Sequence, residues 1–242
     1  MDASVNASRT FGVDGCRAGW IAASWEDLES VYIFQDLREL WGLLSHARLI
    51  LIDIPIGLPD AVRECDRSAK QCLGSARSRV FFAPPRAAVN APDYPTANAD
   101  GRRIRGQGLS KQFWMIGPKV RQADELLRSS SHARGVIREC HPEICFCGLA
   151  GGRAVLSKKK TAEGYAERIG LLEQEHSGLA QLVEKHVQRW REKASRDDVV
   201  DAFVAAWTAA GPECERRTLP PQPNRDDCGL PIEMVYRLRS AR

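Results

Sequence analysis

The chain has 242 residues, 43% of them hydrophobic and 27% charged, with a formal net charge of +4 and a pI near 8.7. That composition excludes collagen-like and strongly disordered classes, and the length favours one domain over residues 1–242 rather than two. No run of about 18 apolar residues is present to cross a bilayer, and the N-terminal M-D-A-S-V-N-A-S-R lacks the regions of a signal peptide, so a soluble, cytoplasmic protein is expected.

In chain order, R-T-F-G-V-D and W-I-A-A-S-W within residues 9–25 read as two strands joined by G-C-R-A-G, and S-V-Y-I-F adds a third to make an antiparallel meander. Leu37, Leu40, Trp41 and Leu44 recur at helical spacing. The run Leu49 to Ile52 has the character of a buried parallel strand ending at Asp53. Residues 55–134 are irregular and dense in Pro, Gly, Arg, Ser and Asn, with helical pieces near 60–72 and 119–129. We read them as a folded insertion after the fourth strand that carries the substrate side. A strand over 135–140 enters a helix through H-P-E, and helices are expected at 162–174 and 178–194. The last helix spans about 197–210, with Asp197 its N-cap candidate, and a proline-rich tail follows from Pro212.

Six acids sit in four motifs: Asp14 in F-G-V-D-G-C-R, Asp53 in L-I-L-I-D-I-P-I-G, Glu143 in H-P-E, and Asp197, Asp198 and Asp201 in R-D-D-V-V-D-A. A buried carboxylate is costly unless it is paired, hydrogen-bonded or bound to a cation, so several together point to a divalent-metal site. Asp198 and Asp201 share one helix face, and Asp201 lies a turn inside an otherwise apolar helix. If the first and fourth strands are neighbours, Asp14 and Asp53 meet beside that helix. Glu143 is an additional ligand or proton carrier, or else a stabiliser of its helix terminus. His141 is a second-rank acid or base.

Cationic side chains cluster in the irregular segment and again at Lys158, Lys159 and Lys160. Arg77, Arg79, Arg86, Lys119 and Lys158 are the candidate substrate-binding residues, since arginine and lysine suit phosphate oxygens. Phe81, Phe82, Phe113 and Trp114 beside them offer stacking surfaces for a single strand, or form a small core of their own. Eight cysteines show no paired C-x-x-C spacing and read as packed thiols. The tightest group, Cys140, His141, Cys145 and Cys147, is the place a soft metal would be sought.

The acids and their order resemble the ribonuclease H-like fold. That resemblance implies an α/β protein with a mixed five-stranded sheet flanked by helices, and two divalent metals held by acids on the first strand, the fourth strand and the C-terminal helix. D-V-V-D-A-F-V-A-A looks like the last helix of Holliday-junction resolvases. Over about residues 10 to 235 the chain is similar to the domain-of-unknown-function 429 family, described as predicted ribonuclease H-like nucleases. The similarity rests on G-V-D-G-C-R-A-G-W, D-I-P-I-G-L-P, R-E-C-D-R-S-A-K-Q-C-L-G, S-R-V-F-F-A-P-P-R, G-L-S-K-Q-F-W-M-I-G-P-K-V, E-C-H-P-E-I-C-F, L-S-K-K-K-T-A-E-G and D-D-V-V-D-A-F-V-A-A-W-T-A. It implies a nuclease in which Asp14, Asp53, Asp198 and Asp201 hold Mg²⁺ or Mn²⁺ and the partner is DNA or RNA. Asp53 stands where such enzymes often have Glu, and its shorter arm moves the metal or calls on Glu143. The alternatives are a nucleic-acid or small-ligand binding protein on the same fold, and an ATP-dependent phosphotransferase. The latter is favoured by the likeness of G-V-D-G-C-R to a phosphate loop and disfavoured by the lack of a second such loop.

Overall fold

The computed structural model describes residues 9–239, so most of the N-terminal stretch expected to lack a signal peptide lies outside the described residues. Strands β1 (Thr10–Cys16), β2 (Gly19–Ser24) and β3 (Val31–Phe34) form the expected antiparallel meander. Helix α1 (Leu37–Leu44) starts where the Asp36 side chain accepts the Glu39 N–H, and it buries Leu37, Leu40 and Leu44. Strand β4 (Leu49–Ile52) lies parallel to β1, and β5 (Ile137–Glu139) lies parallel to β4. The mixed five-stranded sheet therefore has the order β3-β2-β1-β4-β5.

Between β4 and β5 the chain is more helical than its composition promised. It forms α2 (Glu64–Leu73), a 3-10 turn over Gly74–Arg79, α3 (Arg86–Val89), α4 (Tyr94–Arg105), α5 (Lys111–Ser129) and α6 (Ser131–Val136). Helix α4 has little apolar periodicity and is made by its ends: Asp93 caps the Thr96 N–H and a proline sits in the first turn. Helix α5 begins eight residues before the expected 119, on the Ser110 cap, and runs on through Pro118.

Strand periodicity sorts the two faces of the sheet. Phe11, Val13, Ile50 and Ile52 pack in one core with residues of α1 and α5. Leu49 and Leu51 belong to a second core, with α7 (Pro142–Leu149), α8 (Ala162–Glu173), α9 (Leu179–Trp190) and α10 (Arg196–Ala210). Every residue of α10 from Val199 to Ala209 is buried. The C-terminal stretch is not only a tail. It forms a hairpin of β6 (Arg216–Arg225) and β7 (Pro231–Arg237), with Val235 bridging to Cys140 just beyond β5. Pro220, Pro221 and Pro223 lie where the ladder shifts register between Leu219 and Asn224, so their missing N–H groups break no regular ladder. Among the described residues, no helix is long and apolar enough to cross a membrane.

Candidate functional site

Ladder register places the first two acids. Val13 is paired with Ile52, and the Asp53 N–H donates to the Val13 carbonyl at 2.9 Å, so Asp14, two residues before the end of β1, and Asp53, just after β4, stand where the parallel pairing of the two strands ends. The third arrives through a close backbone approach. A Cβ on Gly12 would fall 2.1 Å from the Ala206 nitrogen and 2.2 Å from the Ala202 oxygen, so β1 meets α10 with no side chain between them. Asp201, one residue before Ala202, is thereby brought to Asp14. Asp14 and Asp201 are buried and Asp53 is half-buried.

Burial, then the charges of Asp53, Asp201 and Asp198, hold the Asp14 carboxyl well above its ordinary range. Asp53 is raised by burial and by Glu143, against the opposing charges of His141 and Lys159. Asp201 is pushed up to about 6 by burial, with Lys159 acting against the rise. Asp198 serves its helix end: its carboxylate accepts the Ser195 N–H at 2.8 Å while Ser195 Oγ accepts the Asp198 N–H, a capping box. Ser195, not Asp197, is therefore the N-cap. Asp197 lies inside the first turn.

Lys159 is the residue that sequence reasoning undervalued. Its ammonium donates to Asp201 at 2.7 Å, and Asp201, Asp14 and Asp53 all favour its charged form. Within three consecutive lysines nothing marks the middle one, because its partner lies 42 residues away. The loop carrying it is pinned on several sides. Arg79 donates to the carbonyls of Val155 and Ser157, and Arg168 donates to the Ser157 carbonyl at 3.2 Å. Thr161 donates twice to the Lys158 carbonyl, which would lie 2.1 Å from a Cβ on Gly164.

Glu143 anchors the same arginines. Both its oxygens accept from Arg168 at 2.9 Å, and Oε2 also accepts from Arg79 at 2.8 Å. His141 caps α7 by accepting the Glu143 N–H on Nδ1. Cys140, Cys145 and Cys147 are buried, as packed thiols should be, and the Cys147 sulfur lies 3.6 Å from that of Cys72. Among the described residues, Cys65, Asp66 and Glu139 bring three potential ligand atoms within 4.8 Å of one another. There the buried Arg63 already supplies the cation, pairing with Asp66 at 3.1 Å and with Glu139.

A cavity of about 530 Å³ is lined among others by Asp14, Asp53, His141, Glu143 and Lys159, while Asp198 and Asp201 lie outside its lining. Of the five expected substrate-binding residues, Lys119, Lys158 and Arg79 line it, but the Arg79 guanidinium is committed to Glu143 and the lysine loop. Lys119 also donates to the Cys16 carbonyl at 3.2 Å. Arg86 pairs with Asp124 at 2.9 Å and with Asp226, and it is not part of the lining. Arg77 is exposed on the 3-10 turn, also off the lining.

The fold and site define an α/β protein with an acid- and lysine-lined cavity at the carboxyl ends of parallel strands, the edge where open α/β sheets bind ligands. Residues 12–225 match the family described as Protein of unknown function (DUF429), and the chain belongs to it. Comparison with curated proteins and with solved structures finds no match.

Proposed function

We propose that the protein is a divalent-metal-dependent hydrolase of nucleic-acid phosphodiesters, built on a ribonuclease H-like sheet with the segment between β4 and β5 inserted into it. The observation that carries this reading is that two adjacent parallel strands and the last helix bring Asp14, Asp53 and Asp201 within electrostatic reach of one another and of Lys159, whose ammonium is bonded to Asp201. When all three acids are ionised, three carboxylates and one ammonium leave two negative charges, the charge of one divalent cation, and such a cation would offset the burial that resists their ionisation. Carboxylate oxygens are also the donors that Mg²⁺ and Mn²⁺ prefer. Asp14, Asp53 and Asp201 would hold the ion, and Asp198 adds negative field from one turn away.

Such an ion supplies Lewis-acid activation of water and of the phosphate ester. The chain's own side chains do the rest. Lys159 offsets the mutual repulsion of the acids through its bond to Asp201. Lys119 and Lys158 meet the phosphate oxygens. His141 has Nδ1 committed to its cap, so proton exchange with the leaving oxygen falls to Nε2. Glu143 holds the arginines and is not a ligand.

The test is Mn²⁺ binding by calorimetry together with cleavage of labelled oligonucleotides, in wild type, Asp14→Asn and Asp201→Asn. Both variants should lose Mn²⁺ binding and more than about a hundredfold in rate, beyond what a change outside the ligand sphere costs. An Asp14→Asn protein cleaving at the wild-type rate in Mg²⁺ or Mn²⁺ would sink the reading.

A further inference from the structure

The cavity also constrains the form of nucleic acid. Besides acids and lysines, its lining includes Phe81 and Ile116, which remain 46% and 38% exposed, and Met115 next to Ile116 is 78% exposed. Gln112, Ile116 and Lys119 recur at four- and three-residue spacing on α5, so one helix face presents an amide, an apolar side chain and a cation to the same space. Large apolar side chains left in water beside charged groups mark a ligand with both characters. A nucleotide has both: a flat apolar base face and, one sugar away, a phosphate. The volume of about 530 Å³ falls in the small-molecule range. Specific duplex binding instead uses a broad basic surface on the order of 1,000 Å² or more.

We propose that the cavity takes one unstacked nucleotide unit, its base against Phe81 and Ile116 and its phosphate among Lys119, Lys158 and the acids, so that the substrate is a single strand and not a continuous duplex. This rests on the phosphodiester reading above. Phe81 stands just after the 3-10 turn and Ile116 on α5, so the base surface is assembled from two segments of the chain. Stacking on an aromatic ring tolerates any base, so little sequence preference is expected.

The experiment measures binding of short labelled oligonucleotides by fluorescence anisotropy, with Ca²⁺ as the metal so that turnover does not interfere. Wild type should bind a single strand at least about tenfold more tightly than the matching duplex. Phe81→Ala should weaken single-strand binding at least about fivefold, the low end for loss of base stacking, and Phe81→Trp should retain it. Phe81 is partly exposed, so neither change threatens the fold. Equal binding of duplex and single strand, or no effect of Phe81→Ala, overturns the inference. Metal-dependent hydrolysis of bis(para-nitrophenyl) phosphate, lost in Asp14→Asn, tests the chemistry separately. If hydrolysis persists alongside either overturning result, only this inference falls; if there is no hydrolysis, the phosphodiester reading falls too.

Discussion

The acids of the site and the lysine loop beside them come from regions built by different means. Asp14, Asp53 and Asp201 stand on β1, at the end of β4 and on α10, where a hydrogen-bonded ladder and a backbone-to-backbone contact fix them. Lys158 and Lys159 stand on irregular chain that has no ladder, and Arg79, Arg168, Thr161 and Glu143 hold it by hydrogen bonds and ion pairs. The acid side is set by periodicity, and changing one side chain there need not move the others. The cation side is set by partners, and its geometry depends on each of them.

The largest effect should come from breaking the acid side where backbone meets backbone. Gly12→Ala places a methyl group about 2 Å from the backbone of α10, so helix and strand must separate. A loss of about 3 kcal/mol or more is expected in urea denaturation, at the top of the usual range for over-packing. On the metal-site proposal, Mn²⁺ affinity should fall with it, because Asp201 rides on that helix. A variant within about 0.5 kcal/mol of wild type, in the range of ordinary surface changes, would refute the contact.

The same division explains what could be read in advance. Alternating strands, the buried run before Asp53 and the apolar α10 carry period-2 and period-3.6 patterns, so the sheet and the placement of Asp14, Asp53 and Asp201 were legible. The cap was misassigned to Asp197, although Ser195 followed three residues later by Asp198 carries the capping-box pattern that would have placed it. Helix α4 was hidden because its signal lies in its caps, and the β6–β7 hairpin because prolines argue against a strand. The roles of Arg79 and Arg86 were not legible. Each pairs with an acid far along the chain, Glu143 and Asp226, and an arginine waiting for such a partner looks in sequence like one waiting for phosphate.

The cation side should break through Glu143. Glu143→Gln removes the counter-charge of the buried Arg168 while keeping an acceptor oxygen, so about 2–3 kcal/mol should be lost, somewhat below the cost of stranding a buried charge. The sharper readout is local. Trypsin should cut at Lys158 to Lys160 earlier in this variant than in wild type, whereas Arg86→Ala should lower stability without exposing that loop. Equal nicking in wild type and Glu143→Gln would show that the loop is held without Glu143.

The smallest effect is a difference in pH response between the acid side and the Arg86–Asp226 pair away from the cavity. On the acid side His186 of α9 is fully buried, its Nε2 within 2.9 Å of the Leu28 carbonyl and its ring against Phe203. A carbonyl only accepts, so Nε2 carries the hydrogen, and Nδ1 is buried without a partner. Burial holds the ring below its ordinary value of 6.5, although the Leu28 carbonyl and Glu29 favour the proton. The unfolded chain then binds a proton that the folded chain resists, so the His186 contribution is complete above 6.5 and is lost as pH falls below it. Away from the cavity, Asp226 is raised by burial, but Arg86 and the N–H groups of Leu58 and Leu230 outweigh this and leave it below 3.8. Its contribution is complete above 3.8 and is lost only in stronger acid. Lowering the pH from about 7 to about 5, across the usual histidine range, should therefore reduce hydrogen-exchange protection in α9 and α10 before it does so around Arg86 and Asp226. His186→Phe should remove that early step. If wild-type α9 and α10 keep their protection over this interval, after correction for intrinsic exchange, the buried neutral histidine is not what ties α9 to the acid-bearing helix.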